Sequence, residues 1–387
     1  MVNEADIRLL CQLLSVRYRP HFCTGLGVRH LWKWKRIAEE KARAHEPTAI
    51  DLAEVIVRVG LQTGNKPCEA LALWISGNIY NFVGNARHAL KLFQRAKYRY
   101  RTLGDDLSIA RMDVGTSYAF YFLERHADAL RVATDALTKL AQTDELLDRG
   151  RRGQLYRVMG MCCEAQGRFI EALTQYQRAR ECFYPYPNDA DQIEVARVQN
   201  SLGVAQLLLG QYLDAQHSFD QAHETCTRLT ISQRDVVIAR ADMNLEWLET
   251  RRDISEVVVR AAYQRALNSR AALDPNTALL NFAQVDLRYA DWLFQRNRWQ
   301  DIDCALLRQL HNDCVSVGSV EDAWHARLLT AQIDLRSGKA PQAFDAVVAI
   351  GNAAKTQHNA TFRYWAGLWQ SRVQVDMGNV DAAQRTL

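Results

Sequence analysis

Nine cysteines are the first residues that could do chemistry: Cys11, Cys23, Cys68, Cys162, Cys163, Cys182, Cys226, Cys304 and Cys314. Cys304, His311 and Cys314 fall at i, i+7 and i+10, one face of a helix if the helix is continuous. His223 and Cys226 form a similar pair. A zinc site wants a fourth ligand and usually a close Cys or His pair. Neither is present, and no CxxC occurs, so we expect no metal, no cofactor and thiols that serve the core. Cys162 and Cys163 fall within a helical pattern and read the same way. An odd cysteine count in a long chain, with acids where a signal peptide would be basic, points to reduced thiols in a cytoplasmic protein. P-loop, nucleophile-elbow and zincin motifs are missing, and Gly25-Leu26-Gly27 lacks the strand and third glycine of a dinucleotide fingerprint. The expectation is a protein that is not an enzyme.

Two stretches interleave cations with rings, Arg29–Arg36 and Arg95–Arg101. Such patterns can neutralise phosphates and stack on bases. At helical spacing they more often describe a solvated face whose rings serve the core. Charge supports the second reading. The chain has 387 residues and a formal net charge of +4. Residues 1–46 hold nine Lys/Arg against five Asp/Glu, which is the whole excess; the rest is neutral. Nucleic acid is therefore disfavoured. No apolar run approaches the roughly 20 residues that a membrane helix needs.

What positions these residues is an internal repeat. A small residue is followed by a hydrophobic patch, a turn, and then alanine, a large apolar residue and alanine at fixed offsets. The copies run Gly77, Tyr80, Gly84, Ala89, Phe93, Ala96; then Ser117, Phe120, Ala129, Ala133, Ala136; then Gly160, Cys163, Gly167, Ala172, Tyr176, Ala179; then Gly203, Gln206, Gly210, Ala215, Phe219, Ala222. First positions recur after 40, 43 and 43 residues. Each copy reads as a helix hairpin whose small residue lets the two helices approach closely and whose turn glycine takes the left-handed conformation. Weaker copies follow near 236–268 (Trp247, Tyr263, Ala266) and 279–312 (Tyr289, Ala290, Asn297, Trp299). Two more carry Ala331, Gly338, Ala343, Val347 and Ser371, Gly378, Ala383.

These positions resemble the tetratricopeptide repeat, lengthened beyond its usual 34 residues. The resemblance implies an all-α fold, a right-handed superhelix of about seven or eight stacked hairpins over 69–387. Residues 1–68 read as a helical leader that packs over the first repeat. It holds a short helix at 4–17, a basic helix near 28–44, a helix near 49–61 and a repeat entry at Asn65–Pro67. The chain stops inside a repeat, at Leu387, so the array is expected to be cut at its C-terminal end.

The phrases Thr102–Asp106 and Ala110–Met112 look like the repeat region of bacterial proteins that carry a caspase-like CHAT peptidase. That likeness implies a non-catalytic recognition scaffold or sensor that binds a protein or peptide and regulates a C-terminal effector. Two rivals share the lengthened repeats: a peptide-pheromone receptor of the Rap type, and the repeat domain of a LuxR-type transcriptional regulator. In tetratricopeptide proteins the first helix of each repeat lines the ligand groove. Carried over residue by residue, the groove would be Trp74, Asn78, Asn81 and Phe82; Arg111, Tyr118, Tyr121 and Phe122; Arg157, Met161 and Glu164; Arg197, Asn200, Val204 and Leu207. Trp74 stands where chaperone-tail binders need lysine, so that ligand is disfavoured.

Overall fold

The computed structural model describes residues 27–43, 48–143, 145–183, 188–229, 234–251, 255–271, 273, 275–317, 319–356 and 359–386. The helix expected at 4–17 lies outside them. All the described regular structure is helical, as the pattern implied. The helices are α1 (Val28–Arg43), α2 (Thr48–Gln62), α3 (Lys66–Phe82), α4 (Ala86–Thr102), α5 (Asp106–Phe122), α6 (His126–Leu140), α7 (Leu146–Ala165), α8 (Phe169–Phe183) and α9 (Asp189–Leu208). There follow α10 (Tyr212–Thr227), α11 (Arg234–Arg251), α12 (Glu256–Ala271), α13 (Pro275–Gln295), α14 (Cys304–Val317), α15 (Val320–Arg336), α16 (Ala340–Thr356), α17 (Ala360–Asp376) and α18 (Val380–Thr386). A 3-10 turn, Trp299–Asp301, precedes α14. No described helix is long and apolar enough to cross a membrane.

The chain divides into two compact units, Met1–Ala241 and Asp242–Leu387, the boundary falling within α11. In the first unit, α3/α4, α5/α6, α7/α8 and α9/α10 are the four strong copies. The first helix of each hairpin also adjoins the first helix of the next. The α1/α2 pair joins the same pattern, with α1 against α3 and α2 against α3.

One device recurs at the turn within a hairpin. The N–H of the residue just before the second helix reaches back five positions to a carbonyl of the first. It is Asn85 to Tyr80 at 2.8 Å, Arg125 to Phe120 at 2.9 Å, Arg168 to Cys163 at 2.9 Å and Gln211 to Gln206 at 2.9 Å. This closure requires a left-handed residue in the middle. Gly84 supplies it at φ 85°, while Glu124 at φ 58° does so in the copy that lacks the glycine. The second unit uses the same closure: Arg298 to Leu293, Lys339 to Asp334 and Asn379 to Gln374. Asn297, at φ 60°, takes the glycine's place there, which fixes the register of the weaker copies.

The small residue does what its position implied. A Cβ on Gly77 would lie 2.4 Å from the Phe93 ring, on Gly160 2.4 Å from Tyr176, and on Gly203 2.3 Å from Phe219. Each ring fills the notch left by a glycine sixteen residues earlier. All three rings are buried, which contributes about 2–3 kcal/mol apiece. In the second copy both partners change together: Ser117 replaces the glycine and Ala133 the ring. The extra length over 34 residues is partly in the first helices, since α7 and α9 each have 20 residues against 17 in α3 and α5.

Candidate functional site

The expected groove residues fall into two groups. The first ties neighbouring helices together. Trp74 is buried between Trp32 of α1, at 5.6 Å, and Tyr100 of α4, at 6.4 Å. Asn78 donates from Nδ2 to Glu39 Oε1 of α1 at 2.8 Å. Asn81 is buried and donates to the Gly115 carbonyl of α5 at 2.8 Å. Asn200 is buried and donates to the Val237 carbonyl of α11 at 3.3 Å. Phe82 packs on the core of the first hairpins, and Leu207 is buried. Trp74, Asn78, Asn81 and Asn200, expected to line the groove, are thus engaged with neighbouring helices. Adjacent first helices lie so close that an asparagine meets the next helix before it meets a ligand.

Arg111 belongs to this group as well. Its Nε and Nη2 donate to the two oxygens of Asp148 on α7, at 2.9 and 2.7 Å, and Nη2 also reaches Glu145 at 2.6 Å. Arg151 and Thr143 add hydrogen bonds to the same carboxylate, which is fully enclosed. Burial alone would raise the Asp148 pKa, but these donors more than reverse it and hold it below the ordinary value.

The second group forms a wall on α5, α7, α9 and the first-unit part of α11. Tyr118 donates to the Gln154 carbonyl at 3.3 Å, and the Arg157 guanidinium lies over its ring at 5.2 Å. Burial pushes the Tyr118 hydroxyl up to about 12. Tyr121 and Phe122 are in ring contact at 5.7 Å, and Phe122 is 54% exposed. Arg157 reaches Met161 Sδ at 3.7 Å and Glu194 Oε2 at 3.8 Å. Arg197 donates to Glu194 Oε1 at 2.5 Å. Glu164 accepts from the Tyr176 hydroxyl at 3.0 Å, and burial raises its carboxyl to about 7 against that bond. The wall thus offers aromatic faces beside forked donors, suited to a chain that carries both apolar and anionic groups.

Glu194, which joins Arg157 and Arg197, was not read from the sequence, nor was Arg240, which lies in the electrostatic field of Arg197, Arg157 and Tyr121. Arg240 follows Arg197 by 43 residues, the repeat spacing, so the period alone marks it.

Residues 151–228, spanning α7 to α10, match the tetratricopeptide repeat family model. That segment carries tetratricopeptide repeats. Solved structures share the helical-repeat fold of the chain. The apo quorum sensor NprR from B. thuringiensis matches with a TM-score of 0.61 at 12% identity, over 93% of this chain and 97% of that one. Aspartyl phosphate phosphatase F from Bacillus subtilis gives 0.57 at 12% identity, over 93% of each chain. A Rap protein complexed with Competence and Sporulation Factor gives 0.56 at 15% identity, over 87% of this chain and 92% of that one. No curated protein matches the sequence.

The other expected chemistry resolves into packing. His311 Nδ1 faces the Ala323 carbonyl at 2.9 Å, and Cys314 is buried, its thiol pushed up to about 11 by burial. Among the described residues no group of three or more His, Cys, Asp or Glu could hold a metal ion. Cys162 is buried and its thiol is raised to about 12 by desolvation. In the basic-aromatic stretches Trp34 and Tyr100 are core residues. Lys97 pairs with Asp113 at 2.9 Å and Arg99 with Glu69 at 2.8 Å.

The second unit holds a polar network of its own. Tyr263 donates to Asp286 at 2.8 Å, and Arg270 pairs with Asp286 at 2.5 Å. Glu246 is fully buried, 3.7 Å from Arg288.

Proposed function

We propose that this protein is a non-catalytic recognition scaffold or sensor whose first unit binds an extended peptide along the wall of α5, α7, α9 and α11. The observation that carries the reading is the composition of that wall. Tyr121 and Phe122 offer ring surface, while Arg157 and Arg197 stand beside them with their forks held by stacking on Tyr118 and bonding to Glu194. Rigid aromatic and arginine groups are the residues that dominate binding energy in protein recognition. The fold neighbours support a sensor: one is a quorum sensor, and another was solved with a bound competence and sporulation factor.

Signalling would follow from the same contacts that build the stack. Each first helix is bonded to the next, so a ligand bridging several of them alters their spacing and passes strain to neighbouring hairpins. The finer step, a caspase-like effector as the receiver, rests on the phrases Thr102–Asp106 and Ala110–Met112 alone.

The test is selection from a random heptapeptide display pool on the immobilised chain, followed by fluorescence anisotropy with a synthetic consensus peptide. Binding lost in Tyr121→Ala/Arg197→Ala and retained in Tyr98→Ala, a substitution of an exposed ring on α4, supports the reading. Equal binding by all three proteins removes the wall as the site.

A further inference from the structure

The cations of α4 form a surface that the wall does not use. The seventeen residues of this helix carry six Lys/Arg and no Asp or Glu. Two of the six are tied to neighbours, Lys97 to Asp113 and Arg99 to Glu69. Arg99 and Arg101 stand in the last turn, where cations offset the helix dipole. Arg87, Lys91 and Arg95 have neither reason to be there. They are exposed and carry no ion pair among the described residues. Four-residue steps put them on one face, about 6 Å apart along the axis. That arrangement works against the helix twice. Like charges at i, i+4 repel, and Arg87 stands at the positive end of the dipole with no acid in the first turn. The repeat does not require it either. The repeat positions of α4 are Ala89, Phe93 and Ala96, all buried. The places of Arg87, Lys91 and Arg95 hold Ala127, Arg131 and Asp135 in the second copy, and Leu213, His217 and Gln221 in the fourth. A row of cations that weakens its own helix and serves no packing is relieved by an anionic partner laid along it.

We propose that the row of Arg87, Lys91 and Arg95 docks an acidic helix of a partner protein, with Asp or Glu at every fourth position. This is a separate surface on a second helix of the array, and it does not depend on peptide binding by the wall. Spacing favours a helix. A helix laid along α4 has the same rise, so its carboxylates at i, i+4 and i+8 meet the three cations in step. Width favours a single row of charge. Glu69 of α3 shares the recess beside Lys91 and Arg95. Asp106 of α5 and Asp135 of α6 line the cavity beside Lys97 and Arg101. A bilayer or a nucleic-acid backbone presents phosphates over a broader area and would meet those acids. One row of carboxylates would not.

The test is selection on the immobilised full chain from a display pool of eighteen-residue peptides with an alanine-rich helical scaffold. Asp and Glu at four-residue spacing are expected among the winners. In fluorescence anisotropy at 50 mM NaCl, a synthetic consensus peptide should bind wild type at least tenfold tighter than it binds Lys91→Glu/Arg95→Glu. An isomer with the same acids spread around the helix should bind wild type at least tenfold more weakly than the consensus. A peptide with Lys in place of the acids should bind the charge-reversed variant instead. Arg87→Gln/Lys91→Gln/Arg95→Gln should lose the consensus peptide yet keep or raise the melting temperature, because the row repels itself. Far-UV circular dichroism establishes that each variant is folded. Winners that bind the charge-reversed variant as tightly as wild type overturn the proposal, and so does an equally tight scattered isomer or an empty selection. A 12-nucleotide single strand, or vesicles of phosphatidylserine and phosphatidylcholine, that displaces the consensus peptide overturns it in favour of a phosphate ligand. None of these outcomes bears on the wall, which Tyr121→Ala/Arg197→Ala tests separately.

Discussion

Asn78 on α3 donates its side-chain N–H to Glu39 on α1 at 2.8 Å, thirty-nine residues earlier in the chain. A residue type suited to holding a peptide backbone instead joins the hairpin before it to the first clear repeat. Beside it, Trp32 packs edge-on against Trp74. Removing the amide leaves an oxygen of the buried Glu39 carboxylate without that donor. Asn78→Ala should cost about 1–2 kcal/mol. Urea unfolding followed by tryptophan fluorescence measures this, and a midpoint equal to wild type would count against the link.

The glycine–ring notch predicts a coupled pair. Gly203→Ser introduces a Cβ that would fall 2.3 Å from the Phe219 ring, so it should destabilise by about 1–3 kcal/mol. Gly203→Ser/Phe219→Ala reproduces the Ser117 and Ala133 combination of the second copy. Its loss should fall short of the sum of the two single losses by about 1 kcal/mol or more, read from a double-mutant cycle. Strict additivity would contradict the notch.

Asp148 gives a prediction with an acid limb. The enclosed carboxylate holds Arg111, Arg151 and Thr143. Asp148→Asn should destabilise by about 3 kcal/mol, because it strips charge from a buried cluster of donors. The native pKa lies below the unfolded one, so this contribution is present above about pH 4 and disappears as pH falls through the lower, native value. Stability curves of wild type and variant should therefore converge in acid. Parallel curves down to the acid transition would refute the assignment.

Glu246 behaves in the opposite sense. It is fully buried and neither carboxylate oxygen has a hydrogen-bond partner among the described residues. Burial raises it to about 8, Arg288 opposing and Asp286 assisting. The folded state then binds the proton more tightly than the unfolded state, and stability is lost as pH rises from about 4.5 towards 8. Glu246→Gln should flatten that limb and gain stability, about 1 kcal/mol or more, at pH 8. An unchanged slope in thermal melts between pH 5 and pH 8 would sink this prediction.

Much of the architecture was legible because its signals are local. Gly77, Gly160 and Gly203 with their partner rings mark the hairpins, and Asn65 caps α3 as the entry at Asn65–Pro67 implied. The register beyond residue 236 was harder, since the copies have lost much of the signature; Asn297 could be placed from the sequence, and its left-handed turn is shown by φ 60° and the Arg298-to-Leu293 bond. Of the candidate groove residues, Tyr118, Arg157 and Arg197 are linked across α5, α7 and α9 by ring stacking and by Glu194. Asn81 and Asn200 bond neighbouring helices instead, because side-by-side packing of first helices decides what an inward position meets, and no single repeat encodes that distance. Arg240 was readable from the period, but its copy has lost the flanking signature.

The central claim is that a peptide lies across the first helices of successive hairpins in the first unit. Hydrogen–deuterium exchange with and without a selected heptapeptide tests it most directly. The account predicts slowed exchange in α5, α7, α9 and the start of α11, with α4, α6, α8 and α10 unchanged. Protection confined to those second helices, or to the second unit, would contradict it.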